Sequence, residues 1–320
     1  MFKKRAIEED ITALTLGTTQ LGSHYGIANR TGCPGEKEAY RILEVSFDNG
    51  IHSFDTASAY GKSEDILGRF IGSNKCKPFI ISKLPGVGKL KYAGRDLIYE
   101  NIRKSVLGSL KRLKKDKINA YLLHDASDIG SNGKKIIEAL SRIKKDGLIG
   151  MIGASCYYAH EVEAALSMDE IGAIQVPINL FDHRFIEPRL LARIKKSGKI
   201  LFARSVFLQG LFFLDPDRMP RGMEFYAKYL KRLREFLRGE GVGIHDLALG
   251  FLKSIPEISS VIIGAESSDQ ILEDINIFRK ARIGKDVKKR LFRYFSDIPL
   301  RLKIPSLWFS KTKKGGYEKE

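Results

Sequence analysis

The 320-residue sequence contains few cysteines: only Cys33, Cys76 and Cys156, none of them in a CxxC pair. This scarcity argues against a disulfide framework or a structural zinc site, and it fits a reducing compartment. The chain also lacks any run of about 18 apolar residues, so no membrane span is expected. Its N-terminus has no apolar segment of the kind found in secretory signals, which makes the cytoplasm the expected location.

Several familiar motifs are also missing. No GxGxxG follows the first predicted strand, where the sequence reads Leu16-Gly17-Thr18-Thr19-Gln20-Leu21-Gly22, and this disfavours a doubly wound dinucleotide-binding sheet. No helix-turn-helix, zinc finger or RNP-like pattern predicts specific nucleic-acid recognition. No carboxylate pair, serine-centred elbow or cluster of metal ligands indicates glycoside hydrolysis, acyl transfer or metal catalysis.

Basic residues outnumber acidic ones: the sequence has 38 Asp and Glu and 55 Lys and Arg, which gives a net charge of +17. Between Arg282 and Glu320 there are twelve basic residues and four acidic ones. A lysine-rich, solvated surface is the simplest interpretation. Nucleic acid, an acidic membrane surface, or a phosphorylated or acidic substrate are the alternatives.

What the sequence does contain is a regular alternation of short apolar runs and helical segments. The predicted strands cover residues 11–16, 51–54, 79–82, 120–123, 149–154, 173–176, 199–203 and 260–263. Their apolar residues are continuous rather than alternating, as expected of parallel strands covered by helices. Eight such units predict a (β/α)₈ TIM barrel, and the absence of a Pro-, Gly- or Ser-rich linker favours a single domain over residues 1–320.

The stretch around Asp55 and Tyr60 joins a strand end, a loop and the start of a helix. An apolar run ends at Asp55, a loop of small residues follows, and Tyr60 comes five positions later. Ser63 is expected to cap a helix whose first turn carries Glu64 and Asp65, which suits the positive end of the helix dipole. A β/α enzyme presents catalytic groups in this way.

Two later predicted strands end in ionisable residues, Lys83 and His124, which a barrel would bring to the same face as Asp55 and Tyr60. A nearby cation lowers the pKa of a tyrosine, which is ordinarily about 10, and Lys83, paired with Asp55, can be that cation. His124 can donate a hydrogen bond to a carbonyl or join a proton relay. The set suits protonation of a carbonyl oxygen as its carbon receives a hydride, or the reverse, and a cofactor would have to supply the hydride.

The sequence resembles the aldo-keto reductases over nearly its whole length, from Leu16-Gly17-Thr18 to Glu273-Asp274. The matching segments are Phe54-Asp55-Thr56-Ala57-Ser58-Ala59-Tyr60-Gly61, Ser82-Lys83, Leu122-Leu123-His124-Asp125 and Ile152-Gly153-Ala154-Ser155. The resemblance implies a (β/α)₈ barrel and NADPH bound without a Rossmann fold. It also implies a catalytic tetrad of Asp55, Tyr60, Lys83 and His124, with Tyr60 as general acid/base.

The resemblance further assigns cofactor contacts along the chain. They are Gly17 and Thr18 in the first loop, Ser155 and Gln175 at the nicotinamide carboxamide, Arg204 at the nicotinamide ring, Ser205, Phe207, Gln209 and Gly210 around the pyrophosphate, and Gly264, Ser268, Gln270, Glu273 and Asp274 at the adenosine half. No metal is implied.

Three positions depart from the family pattern. Cys156 stands where many members have asparagine, so one carboxamide contact is lost or comes from Asn179. Arg204 stands where many have an aromatic residue, and a guanidinium plane can also stack on the nicotinamide. Gln270 stands where NADPH-binding members have an arginine for the 2′-phosphate, and Glu266 lies nearby. NADPH is the expected cofactor, with NADH as the alternative because an acid favours a ribose hydroxyl.

Substrate recognition is the least specified part of the sequence. Tyr25 in the first loop is a candidate pocket residue, and Tyr92 is a weaker one. Trp308 and Phe309 lie in a C-terminal loop and tail, about residues 300–320, that the resemblance places over the barrel mouth; they either contact substrate or cap the barrel. The segment 21–29 resembles bacterial members that act on sugars, so an aldehyde, ketone or sugar-like substrate is expected.

Two functions compatible with the resemblance remain open. The first is an NAD(P)H-dependent oxidoreductase acting on a carbonyl or alcohol. The second is an NAD(P)H-binding regulatory or auxiliary subunit on the same fold, with little turnover. The sequence indicates no partner protein, and the oligomeric state stays open.

Overall fold

Eight parallel strands form the centre of the structure, a computed structural model that describes residues 11–87 and 93–309. The strands are β1 (Leu14–Gly17), β2 (Ser53–Asp55), β3 (Phe79–Leu84), β4 (Ile118–Leu123), β5 (Ile149–Ser155), β6 (Ile171–Pro177), β7 (Ile200–Arg204) and β8 (Ser260–Ile263). Each pairs in parallel with the next, and β1 also pairs with β8, so the sheet closes. The closed barrel confirms the (β/α)₈ prediction.

Helices connect the strands and cover the outside of the barrel. They are α1 (Thr19–Gly22), α2 (Glu36–Asp48), α3 (Ser63–Asn74), α4 (Arg95–Leu113), α5 (Asp128–Lys145), α6 (Ala159–Leu166), α7 (Pro188–Ser197), α8 (Ala227–Glu240), α9 (Ile244–Lys253), α10 (Ser268–Lys280), α11 (Lys285–Tyr294) and α12 (Leu300–Lys303). Short 3₁₀ segments lie at Leu208–Phe213, Glu224–Tyr226 and Pro305–Leu307. Within the described ranges, none of the helices has the length and apolar content needed to cross a membrane.

Apolar side chains form two layers, one on each side of the barrel wall. The inner layer consists of Phe79, Ile81, Ala120, Leu122, Met151, Ala173, Ile200, Phe202 and Ile262, all buried. Ile80 and Tyr121 belong to the outer layer between strands and helices, because successive side chains on a strand point to opposite faces. The barrel interior is thus a packed core rather than a channel.

Hydroxyl groups occupy the amino-terminal end of the barrel interior and satisfy one another. The Thr15 hydroxyl is 2.8 Å from that of Ser53 and 2.7 Å from that of Ser260, and all three residues are buried. Paired hydroxyls avoid the cost of burying an unbonded polar group. Side chains thus fill the amino-terminal end of the barrel, and a ligand would bind at the carboxyl ends of the strands.

The start of α3 differs from the prediction, and the difference fixes the loop that carries Tyr60. Ser63 is the first helical residue and makes no capping bond; instead its hydroxyl donates to Thr18 O at 2.5 Å. Gly22 lies against the same loop so closely that a Cβ there would be 2.0 Å from Tyr60 O. A Cβ on Gly61 would in turn be 2.2 Å from Gly22 O. The loop after β1 therefore sets the backbone position of Tyr60.

The C-terminal segment is more ordered than the predicted loop and tail. It includes α12 and a 3₁₀ turn, and Trp308 is 1% exposed, with Nε1 donating to Leu302 O at 3.0 Å. The indole also packs near Tyr226, with ring centroids 6.1 Å apart. Trp308 is thus buried by packing within the protein. Residues 310–320, the tail of the prediction, lie outside the described ranges.

Candidate active site

The carboxyl ends of the strands open into a pocket of about 460 Å³. Most of the predicted site residues line it: Gly17, Tyr25, Asp55, Tyr60, His124, Ser155, Gln175, Arg204, Ser205, Phe207, Gln209, Gly210, Gly264, Gln270, Glu273 and Asp274. A shallower groove of about 860 Å³ lies beside α8 and contains none of them. The chemistry-bearing residues thus converge on one pocket.

Other predicted residues are outside this lining. Lys83 and Thr18 are buried beside it; the Thr18 hydroxyl donates to Asp55 O at 3.1 Å. Ser268 is also buried, and its backbone N–H donates to Glu38 Oε1 at 2.6 Å. Trp308 packs elsewhere, as described above. Tyr92 lies outside the described residues.

Lys83 and Asp55 form a buried ion pair. Lys83 Nζ donates to Asp55 Oδ2 at 2.6 Å and to Thr56 O at 3.1 Å, and Lys83 is 1% exposed. Burial opposes the charge of the lysine, but the Asp55 carboxylate and Tyr60 outweigh it, so that the pKa of Lys83 is raised. Lys83 is therefore an ammonium group at neutral pH.

Tyr60 lies between this ion pair and His124. Lys83 Nζ is 4.9 Å from the centroid of the Tyr60 ring, and the rings of Tyr60 and His124 meet edge to face with centroids 5.7 Å apart. Tyr60 is half-buried and lines the pocket, so a ligand can reach it. The β2, β3 and β4 strand ends thus assemble the four residues that the sequence predicted to act together.

His124 is held in its neutral form. Burial, followed by the positive charge of Lys83, lowers the pKa of His124 to about 4; Asp55 opposes the shift and Arg204 adds to it. A neutral imidazole carries one N–H and one acceptor nitrogen. Near pH 7, His124 can therefore donate a hydrogen bond without bringing a second full positive charge next to Lys83.

Gln175 connects the catalytic residues to the rest of the pocket. Its Nε2 donates to Asp55 Oδ1 at 2.9 Å, on the carboxylate oxygen that Lys83 leaves free. Its Oε1 is buried and has no hydrogen-bond partner among the described residues. A buried amide oxygen without a partner costs free energy, so this atom is ready to accept a hydrogen bond from a ligand.

Two neighbours of the predicted carboxamide site face away from the pocket. Cys156 is fully buried and burial raises the pKa of its thiol, so it offers neither a strong donor nor a thiolate. The Asn179 side chain accepts backbone N–H groups of Phe181 and Asp182 at 3.0 and 3.1 Å, within its own turn. Asn179 Nδ2 is buried and has no partner among the described residues, but Asn179 is absent from the described lining, whereas Ser155 and Gln175 belong to it.

Arg204 forms one wall of the pocket together with Tyr157. Its Cζ lies 4.0 Å from the centroid of the Tyr157 ring. Its terminal nitrogens make two long hydrogen bonds, from Nη1 to Ser205 Oγ and from Nη2 to Cys156 O, both 3.3 Å. Tyr25 stands near this pair, and burial raises its pKa to about 12. The guanidinium is thus surrounded mainly by neutral groups.

Two loops from distant parts of the chain meet along the pocket. Ile27 N donates to Gln209 O at 2.8 Å, and a Cβ on Gly210 would be 2.9 Å from the Ala28 Cβ. Ser205 and Gln209 adopt left-handed backbone conformations with φ of +62° and +54°, which are uncommon for residues other than glycine. Such conformations cluster at ligand-binding sites, because the surrounding structure must hold them.

The far end of the pocket is acidic. Glu266, Glu273 and Asp274 line it, and the Gln270 side chain is occupied in accepting the Glu266 backbone N–H at 2.8 Å. Burial, reinforced by Glu273, raises the pKa of Asp274 to about 7. His245 Nε2 lies 4.0 Å from Asp274 Oδ1, and burial lowers the pKa of His245. No lysine or arginine is present in the described lining at this end.

The structure adds pocket residues that the sequence analysis did not single out. Tyr157, Phe213 and His245 all belong to the lining. Tyr157 follows β5 by two positions, so its place near a strand end was a usable signal. His245 lies at the start of α9 and Phe213 at the end of a 3₁₀ turn, where no strand-end rule applies.

A comparison with known families agrees with this geometry. Residues 13–291 match the model of the Aldo/keto reductase family. Among curated proteins, the chain is 26% identical to "Uncharacterized oxidoreductase YqkF" of Bacillus subtilis, over 88% of this chain and 92% of that protein. It is 27% identical to "Probable voltage-gated potassium channel subunit beta" of Oryza sativa, over 75% of this chain and 81% of that protein.

A solved structure gives the same fold. The holo form of the aldo-keto reductase AKR11C1 from Bacillus halodurans superposes with a TM-score of 0.72 at 23% identity, over 89% of this chain and 92% of that one. At this sequence identity the structural similarity supports the fold only. The match to the family model, in contrast, covers most of the chain. Taken with the barrel and its strand-end residues, that match assigns the chain to the aldo/keto reductase family.

Proposed function

We propose that the protein reduces the carbonyl group of a small substrate, with Tyr60 as general acid, and catalyses the reverse oxidation with Tyr60 as general base. One observation carries the proposal: a buried, charged Lys83, paired with Asp55, lies 4.9 Å from the centroid of the Tyr60 ring beside a neutral His124. A cation at this distance favours the phenolate that remains once Tyr60 has given up its proton.

Each member of the site has a distinct role. The Tyr60 hydroxyl donates its proton to the carbonyl oxygen while that oxygen gains the electron pair of the C=O double bond. Lys83 stabilises the resulting phenolate, and Asp55 keeps Lys83 charged and in place. Neutral His124 donates a hydrogen bond to the same carbonyl oxygen and orients the substrate. A reduced nicotinamide, when bound, supplies the hydride to the carbonyl carbon.

The pocket residues fit a nicotinamide cofactor. Gln175 Oε1, buried and without a described partner, can accept from the carboxamide N–H₂, with Ser155 beside it in the lining. The Gln20 side chain lies against Gly264, since a Cβ there would be 2.4 Å from Gln20 Oε1, and both residues line the pocket. The loop at Ser205, Phe207, Gln209 and Gly210, with its left-handed residues, would hold the pyrophosphate.

At the adenosine end we favour NADH over the expected NADPH. A 2′-phosphate needs an arginine or lysine, whereas an acidic side chain suits the two ribose hydroxyls. In the described lining this end carries Glu266, Glu273 and Asp274, and Gln270 stands where an arginine would be required. A phosphate placed among these acids would meet repulsion rather than a counter-charge.

Oxidation of NADH and NADPH, followed at 340 nm with a panel of aldehydes, ketones and sugars, tests the reaction. We expect turnover by the wild-type protein and a loss of at least about 1,000-fold in kcat for Tyr60→Phe. Cofactor affinity of this variant, measured by fluorescence, should stay within about threefold of wild type. Full activity of Tyr60→Phe would remove Tyr60 from its assigned role.

A regulatory or auxiliary role on the same fold is the second candidate. The similarity to a protein named as a potassium channel β subunit favours it, because that name describes an assembly partner rather than an enzyme. A regulatory subunit would bind the cofactor yet show no turnover with any carbonyl of the panel. The same measurements on the wild-type protein therefore distinguish the two candidates.

A further inference from the structure

Arg204 is a pocket residue that the proposed reaction does not use. Its side chain is partly exposed, lines the pocket with Tyr60 and His124, and lies over the Tyr157 ring. Tyr157 covers one face of the guanidinium at 4.0 Å, so only the opposite face is open to stack on a nicotinamide. Stacking uses the plane of the guanidinium, whereas its charge and its N–H groups need a further explanation.

The charge of Arg204 has no counter-ion among the described residues. No Asp or Glu oxygen of those residues lies within 4.0 Å of it, whereas Lys83 has Asp55. The ionisable groups that interact most with its charge are the phenols of Tyr157, Tyr25 and Tyr60, which are ordinarily neutral near pH 7. A partly buried cation surrounded by neutral groups attracts an anion to the pocket.

The hydrogen bonds of Arg204 are also incomplete. Its two bonds, to Ser205 Oγ and Cys156 O, are both 3.3 Å long and end on uncharged oxygens. Its Nε is buried and has no partner among the described atoms. Since a guanidinium has five N–H donors, most of its hydrogen-bonding capacity is unused. Packing against Tyr157 alone would not require such a costly group.

In the described lining, the only lysine or arginine is Arg204. Of the acidic lining residues, Glu266, Glu273 and Asp274 belong to the segment after β8, and Asp55 is already paired with Lys83. With His124 neutral, Arg204 supplies the net positive charge near Tyr60. A substrate whose carbonyl reaches Tyr60 would thus bring its own substituents towards Arg204.

We propose that Arg204 binds a carboxylate on the substrate, so that the protein prefers carbonyl compounds that are also acids, such as oxo acids and uronic acids, over their neutral counterparts. This inference rests on the proposed carbonyl reduction and adds the substrate class to it. The planar guanidinium matches a carboxylate in shape and charge. Tyr25 and Tyr157 provide the aromatic walls beside it.

Paired substrates that share one aldehyde but differ in charge test this preference. 4-Carboxybenzaldehyde is compared with 4-formylbenzamide, which has almost the same shape and no charge. The measured quantity is the ratio of kcat/KM for the acid to kcat/KM for the amide. We expect a ratio of about 10 to 100 in the wild-type protein and a ratio within about threefold of 1 in Arg204→Met.

Arg189→Met is the matched control, because Arg189 is exposed on α7 and outside the pocket lining. Losing this charge should leave the ratio at its wild-type value. A wild-type ratio near 1, or a ratio unchanged in Arg204→Met, would overturn the proposal. An unchanged ratio together with a tenfold weaker NADH affinity in Arg204→Met would instead assign Arg204 to the cofactor.

A binding measurement tests the carboxylate site without relying on turnover. Benzoate and benzamide are titrated calorimetrically into the wild-type protein and Arg204→Met, each with and without saturating NAD⁺. We expect benzoate to bind the wild-type protein at least tenfold more tightly than benzamide and Arg204→Met to lose this difference. If no aldehyde is reduced but benzoate binds in this way, the proposed reaction fails while the carboxylate site stands; absence of benzoate binding overturns the site.

Discussion

Gln175 and Asp55 are joined by a hydrogen bond of 2.9 Å across the carboxyl end of the barrel, from the amide Nε2 to the carboxylate Oδ1. Lys83 occupies the other carboxylate oxygen at 2.6 Å, so Asp55 is held from two sides by groups on β6 and β3. From the sequence, Gln175 was assigned to the cofactor alone. In the structure its nitrogen donates to the Asp55 carboxylate, and its oxygen has no partner among the described residues.

Gln175→Met tests this double attachment. The variant keeps the side-chain volume but leaves Asp55 Oδ1 without its donor, and a hydrogen bond to a charged group contributes about 1.5–3 kcal/mol. We expect kcat to fall about 10- to 100-fold. The fall should shrink when the change is made in an Asp55→Asn background, because the two residues act as a unit. Equal effects in both backgrounds would show that Gln175 acts only through the cofactor.

The ion pair predicts an asymmetry in stability. Lys83→Met leaves the Asp55 carboxylate buried without its cation, and breaking a buried pair from one side costs about 3–5 kcal/mol. The double variant Lys83→Met/Asp55→Asn removes both charges and should be more stable than Lys83→Met alone. Urea unfolding of the three proteins measures this. If the double variant were the least stable, the effect would come from lost packing rather than from an unpaired charge.

Cofactor preference can be shifted at the adenosine end. Fluorescence titration of the wild-type protein should give NADH an affinity at least about tenfold higher than NADPH. Adding Gln270→Arg and Glu266→Gln introduces a cation and removes an acid, so the NADPH-to-NADH affinity ratio should rise by at least about tenfold. Glu44→Gln, which changes an exposed acid on α2, is the charge control. A wild-type preference for NADPH would restore the expectation drawn from the family.

His183 predicts a loss of stability in acid. Burial lowers the pKa of His183 to about 4, with Lys303 adding to the shift and Asp182 opposing it, and its Nε2 has no described partner. The unfolded chain therefore binds this proton more readily than the folded protein does between about pH 6.5 and 4. The contribution of neutral His183 to the free energy of unfolding is fully present above pH 6.5. It falls with the pH, and about 2 kcal/mol of stability is lost at pH 5.

Comparison with His183→Leu isolates this effect from other titrations. In both proteins, protonation of His124 also lowers the stability as the pH falls from 7 to 5. Asp274, with its pKa raised to about 7, changes the stability in the opposite direction over this pH range. We expect the stability difference between pH 7 and pH 5 to be smaller in His183→Leu than in wild type. His160→Leu, an exposed position, should behave like wild type. Equal acid sensitivity in all three would exclude His183 as the cause.

The barrel and the convergence of Asp55, Tyr60, Lys83 and His124 could be predicted because their signals are local. The strand at 260–263 was predicted with the bounds that the structure has. The strand ends at Asp55, Lys83 and His124 could be read directly from short apolar runs. Parallel topology then brought these ends together without further information.

What the sequence could not reveal depends on contacts between distant residues. The Ser63 hydroxyl bonds to Thr18 O instead of capping its own helix, a choice that only the neighbouring loop makes possible. The contact between the Arg204 guanidinium and the Tyr157 ring joins residues 47 positions apart, so no local sequence pattern predicts it. α11 was not singled out from the sequence: half of its ten residues are basic, and Leu291 is its only buried residue.

The close contact of Gly22 with the Tyr60 loop has a consequence for how the sequence can vary. A side chain on Gly22 would meet Tyr60 O and Ser63 N besides the Ser63 hydroxyl, and one on Gly61 would meet Gly22 O, so backbone atoms obstruct both positions. No second substitution can remove a backbone atom, and hence neither position can be rescued by a compensating change nearby. In a library that randomises both codons, the functional clones should all encode glycine at both, although neither residue has a side chain to contribute.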